Sequence, residues 1–75
     1  MSETVKWLYG AEGEQISFSY RNYRGEISSR KVKVIGIAYG KTQYHPDEQW
    51  LLHGIQDDGS ERMFSMRDMW NVIIP

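Results

Sequence analysis

The chain has no cysteine. That absence excludes the disulfide-stapled scaffold and the thiolate zinc module. It has only two histidines, His45 and His53, whereas a zinc site needs three or four converging ligands, so no metal and no cofactor is expected. No apolar run approaches the roughly 18 residues that span a bilayer. The opening Met1–Ser2–Glu3–Thr4 lacks the basic stretch and apolar block of a secretory leader. These absences predict a soluble, cytoplasmic chain with no membrane partner. There are no repeats, linkers or low-complexity tracts, and 75 residues leave room for one domain spanning 1–75.

What the chain does have is rings. Three Trp, five Tyr and two Phe help a domain of a size that hides only roughly 60% of its unfolded surface. Each buried ring removes about 150–250 Å² from water. The net charge of −1 conceals a band of one sign. Residues 16–45 carry Arg21, Arg24, Arg30, Lys31, Lys33 and Lys41 against the single acid Glu26, while the remaining acids lie in the flanks. A cationic band on a near-neutral protein attracts anions locally without general adhesion to polyanions; the plainer reading is a solvated strand face.

The periodicity predicts a mainly β fold. Thr4 to Ala11 suits a short N-terminal helix capped by Thr4, with Val5, Leu8 and Tyr9 on one face. Ile16 to Tyr20 alternates apolar and polar, as a half-buried strand does. Asn22 to Glu26 is a turn around Arg24–Gly25. A second strand covers Ile27 to Tyr39, and its apolar parity switches at Val34–Ile35 beside Gly36, the mark of a bulge or sharp bend. Gly40 to Gln49, holding Pro46, reads as the longest irregular segment. Gln49 to Ile55 is a central strand, Asp57 to Ser60 a hairpin turn, and Glu61 to Met66 a fourth strand. Arg67 to Trp70 suits one helical turn before a last strand, Asn71 to Ile74. Five strands with a bend and one late helical turn predict a small, strongly bent antiparallel Sm-like barrel.

The order of these segments resembles the WYL domain, a ligand-sensing module of bacterial regulators, over roughly Ile16 to Ile74. Ile16–x–Phe18–x–Tyr20 is similar to that family's first strand, and Arg30–x–Val32–x–Val34–x–Gly36–Ile37 to its second. Trp50–Leu51–Leu52 falls on the naming triplet, and Arg62–x–Phe64–x–Met66–x–x–Met69 on the closing strand and turn. Val34 replaces the family's usual proline, Leu51 the triplet's tyrosine, and the late acidic–basic pair is inverted as Arg67–Asp68. The helix-turn-helix that usually precedes the domain is not in this sequence, which looks most like a free-standing bacterial or phage member. The resemblance implies a regulatory binding domain and nominates Arg30 for ligand contact.

Catalytic motifs are weak. Gly36 and Gly40–Lys41–Thr42 are separated by three residues where a phosphate loop has four, and no strong helix follows. Ser, His and Asp occur without a nucleophile elbow, and Asp57–Asp58–Gly59 lacks the spacing and closing Glu of a calcium loop. The reading is non-enzymatic. The basic and aromatic residues together are the strongest signal: Tyr20, Arg30, Lys31, Lys33, Arg62 and Arg67 are the expected ligand-binding set. The expected ligand is anionic, a nucleotide or short single-stranded nucleic acid. Tyr23 and Tyr44 are further stacking candidates; Tyr39 and Trp50 are assigned to the core, Trp7 and Trp70 to the barrel ends or an oligomer contact. The alternative is a protein-interaction or assembly module, self-associating or pairing with a partner through open strand edges.

Overall fold

The computed structural model describes residues 10–74. Five antiparallel strands form one sheet: β1 (Gln15–Arg21), β2 (Ile27–Thr42), β3 (His45–Gln56), β4 (Glu61–Ser65) and β5 (Met69–Ile73), in the order β4-β3-β2-β1-β5. One 3-10 turn, Met66–Asp68, connects β4 to β5. These strands lie at opposite edges of the sheet yet are joined by three residues, so the sheet must curl strongly to bring its edges together at that corner. The sheet is not closed into a barrel; β4 and β5 remain its two edges. The expected helix at Thr4 to Ala11 lies almost wholly outside the described residues.

Alternation in β1 builds the core. Ile16, Phe18 and Tyr20 are buried and face inward between exposed or half-buried Gln15, Ser17, Ser19 and Arg21. They meet Val32 and Val34 of β2, Leu52 of β3, Phe64 of β4, and Met66 and Met69 around the 3-10 turn. Phe18, Tyr20 and Phe64 pack edge to face, with centroids 5.1–6.2 Å apart, an arrangement worth roughly 0.5–1.5 kcal/mol per pair beyond the area buried.

The parity switch in β2 is a bulge. Val34 pairs with Gly54 and Gly36 with His53, so Ile35 is the extra residue. Ile35 turns partly to solvent, and Ile37 returns to the inner face opposite Leu52. Gly54 sits directly over Val32: a Cβ there would lie 2.9 Å from Val32 Cγ2 and 3.3 Å from the Lys33 carbonyl oxygen. The absence of a side chain is what lets β2 and β3 pack at that point.

The segment expected to be irregular, Gly40 to Gln49, is instead the tip of a long hairpin. Thr42 pairs with His45, and Gln43–Tyr44 form the turn. Thr42 Oγ1 accepts from the N–H groups of Tyr44 (3.2 Å) and His45 (3.1 Å). Pro46 is tolerated because β4 pairs only with Leu51–Ile55, leaving the outer side of β3 at Pro46 without a ladder among the described residues, and because the register shifts between Gly40 and Thr42.

Two other turns match the sequence pattern. Asn22 Oδ1 accepts from the N–H groups of Arg24 and Glu26, both at 2.9 Å, and Gly25 takes φ 83°. In the β3–β4 turn Gly59 takes φ 86°, and Asp58 Oδ1 accepts from the Ser60 hydroxyl (2.6 Å) and N–H (2.9 Å). These bonds, the hydroxyl's first, hold the Asp58 carboxyl below the usual carboxylate range. The expected helical turn at Arg67–Trp70 falls at Met66–Asp68, so the last strand starts at Met69.

Candidate anionic-ligand site

Residues that pair across neighbouring strands share a face. Val32 faces inward, and two residues back along β2 so does Arg30, opposite Phe18. β3 ends at Gln56, opposite Val32. Arg30 therefore lies just beyond the end of β3 and reaches its last side chain: Nη1 donates to Gln56 Oε1 at 3.1 Å. Gln56 Nε2 in turn donates to Ser60 Oγ at 2.9 Å, and the Ser60 hydroxyl donates to Asp58. The guanidinium is thus fixed from the side of the β3–β4 turn. Its Nε is buried with no hydrogen-bond partner among the described residues.

Arg62, near the start of β4 and opposite Gly54, lies on the same face. A hollow of about 210 Å³ brings it together with Arg30 and with Tyr20, Tyr23, Tyr44 and Phe64; Asn22, His45 and Met63 complete the lining. The walls come from distant parts of the chain because the sheet curls. Tyr23 belongs to the β1–β2 turn and Tyr44 to the tip of the β2–β3 hairpin, yet their rings lie 5.1 Å apart at 33°. Arg24 lies over the Tyr23 ring at 5.8 Å. The floor is formed by Tyr20 and Phe64, each 4% exposed.

Tyr20 has two roles. Its ring is core, and its hydroxyl accepts from the buried Ser65 N–H at 3.0 Å. Burial pushes its pKa up; the Ser65 N–H and Arg30 work against that rise, and Asp68 adds to it. The phenol therefore stays neutral at physiological pH and retains a proton to donate. Behind it, the Ser65 hydroxyl donates to Gln49 Oε1, and Gln49 Nε2 donates to the Asp47 carbonyl at 3.0 Å. This buried pair braces β4 against β3 under the pocket floor.

The structure gathers three of the six expected ligand residues, Tyr20, Arg30 and Arg62, and separates the other three. Lys31 and Lys33 pair with Ser17 and Gln15 on the outer face, as the two-residue period of a strand requires once Arg30 points inward. Lys31 borders a shallow outer hollow with Gln15, Ser17 and Ile73. Arg67 lies off the pocket and pairs with Asp47 at 3.6 Å.

Of the ring assignments, Tyr23 and Tyr44 stand at the pocket rim. Tyr39 is not a core residue: it is 58% exposed and packs only an edge against Trp50, 5.3 Å away, because both lie on the part of the hairpin that overhangs the sheet. Trp50 is half-buried against the core. Trp70 lies on the outer face of edge strand β5, opposite Ser19. Trp7 falls outside the described residues. His53 is on the outer face too, 3.6 Å from a carboxylate oxygen of Glu61.

Asn22 and His45 as pocket members, Gln56 as the holder of Arg30 and the Gln49–Ser65 brace are not announced by the sequence motifs. Gln56 could have been found by pairing the end of the third strand with Val32. The brace links residues sixteen apart and leaves no local signal. Among the described residues no group of three or more His, Cys, Asp or Glu is placed to hold a metal, and no helix is long and apolar enough to cross a membrane. Comparison of the chain with protein-family models, with curated proteins and with solved structures finds no match.

Proposed function

We propose that this protein is a non-enzymatic, WYL-like accessory regulator of the cytoplasm. Its concave pocket binds an anionic ligand, a nucleotide or one unit of a short single-stranded nucleic acid. The observation that carries this reading is the convergence of Arg30 and Arg62 on one hollow walled by Tyr20, Tyr23, Tyr44 and Phe64. Cations beside ring faces suit an anion attached to a planar group. The strand order and the short 3-10 link between the edge strands support kinship with Sm-like barrels, here left open.

The test is an amide-shift NMR titration with AMP at low salt. Saturable shifts at Tyr20, Arg30, Arg62 and Tyr44 are expected, weakening as salt rises. The double variant Arg30→Ala with Arg62→Ala loses at least tenfold in affinity, whereas Lys31→Ala with Lys33→Ala, on the other face, changes it less than twofold. Unchanged affinity in the arginine double variant refutes the site.

A second reading, an assembly module, rests on a different observation. β4 covers only Leu51–Ile55 of β3, so the outer side of His45–Gln49 has no sheet neighbour among the described residues, and Ile73 on the other edge is 64% exposed. Free ladders of this kind accept a further strand. On that reading the titration is silent and the molar mass by light scattering rises with concentration.

A further inference from the structure

The pocket specifies more about its ligand than the sign of its charge; this inference rests on the anion-binding reading above. Arg30 and Arg62 bring two fixed positive charges to the hollow, and no carboxylate lines it among the described residues. His45 at the rim is the one other basic side chain there. A phosphate monoester carries a charge of about −1.5 to −2 at pH 7 and presents three acceptor oxygens. The internal phosphodiester of a strand carries a single charge, presents two free oxygens and must continue as chain on both sides.

Two further features favour the monoester. Arg30 is held by Gln56 on one side and keeps its buried Nε unpartnered. A terminal phosphate has three oxygens to divide between the two guanidinium groups of Arg30 and Arg62 that line the hollow. The second feature is shape. With Tyr20 and Phe64 as floor, each 4% exposed, the hollow does not run through the molecule. Its volume of about 210 Å³ is below the roughly 300–1,000 Å³ of sites that enclose a whole drug-sized ligand. It admits the end of a molecule, not a strand threading past.

We infer that this pocket recognises a phosphate monoester, the terminal phosphate of a mononucleotide or of a nucleic-acid end, in preference to an internal phosphodiester. The phosphate enters between Arg30 and Arg62, and the group that bears it rests against Tyr23 and Tyr44 at the rim.

Calorimetric titrations of the full chain at pH 7.5 and low salt test this with AMP, cyclic AMP and adenosine, which share a base and differ in the phosphate. AMP is expected to bind at least tenfold more tightly than cyclic AMP, with adenosine weakest. That preference shrinks below about pH 6, where the monoester dianion takes up a proton and becomes a monoanion, and also in Arg62→Ala. A tetranucleotide with and without a 5′-phosphate separates the two sources: a gain of at least tenfold from the added phosphate identifies a strand end, and no gain alongside tight AMP binding identifies a free mononucleotide. Equal affinities for AMP and cyclic AMP, both above adenosine, overturn the monoester preference and leave the anion-binding reading standing. No binding of either phosphate overturns both.

Discussion

Replacing Tyr20 with Phe removes one oxygen from the centre of the molecule and leaves the ring. The edge-to-face packing on Phe18 and Phe64 is preserved, so the change isolates the hydroxyl. That oxygen accepts the N–H of Ser65, a residue with 0% exposure. A buried donor left unpaired costs about 1–3 kcal/mol. At a central value of about 2 kcal/mol, a domain of this size loses about 8–16 °C in Tm. Urea denaturation followed by tryptophan fluorescence should show a lower midpoint at unchanged slope, since the buried area is unaltered.

The same variant has an alkaline signature. Burial raises the folded pKa of Tyr20 above its ordinary value of 10.0. Keeping the phenol neutral therefore contributes stability that is complete below pH 10 and is lost as pH rises through the folded value. Tyr20→Phe, though less stable at neutral pH, should lack that part of the alkaline decline. A midpoint within about 0.5 kcal/mol of wild type, the scatter of an ordinary surface substitution, together with an identical alkaline limb, refutes the bond between Tyr20 and Ser65.

Gly54→Ala places a methyl 2.9 Å from Val32 Cγ2 in a closed part of the sheet, and overpacking of this kind costs about 1–3 kcal/mol; a thermal melt lower by several degrees is expected. Arg67→Ala breaks an ion pair whose side chains are 60% and 78% exposed. A loss of no more than about 0.5 kcal/mol is expected at physiological salt, with AMP affinity unchanged, because Arg67 does not line the pocket.

The parts of the fold legible in the sequence were those set by local alternation and by glycine turns. Ile16, Phe18 and Tyr20 announce an inward face, Gly25 and Gly59 announce turns, and the parity switch at Val34–Ile35 announces the bulge. The β2–β3 hairpin tip was read as irregular because Gly40 and Pro46 normally interrupt a ladder. They do not interrupt it here, since among the described residues this stretch of β3 pairs on one side only. The same overhang exposes Tyr39. Within the site, Arg30 was legible from parity, because it shares the valine face. Grouping Lys31 and Lys33 with it followed charge, which does not respect the faces of a strand, and Arg67 entered through its position beside the closing strand. The closed Sm-like barrel expected from the strand pattern does not form among the described residues, where β4 and β5 stay as open edges, because closure depends on the meeting of edges far apart in sequence, which local alternation does not report.

The bulge at Ile35 makes the hairpin a lever. From Ile35 to Thr42 the chain extends about 23 Å at the usual strand rise, and Tyr44 rides at the far end. A change of about 10° in local bend at the bulge moves that end by about 4 Å over this length, comparable to the 5.1 Å between the Tyr23 and Tyr44 ring centroids. The position of the Tyr44 side of the rim thus depends on a residue that does not line the hollow. Substitutions around Ile35 and Gly36 would shift Tyr44 relative to Tyr23 without changing the identity of any side chain that lines the hollow.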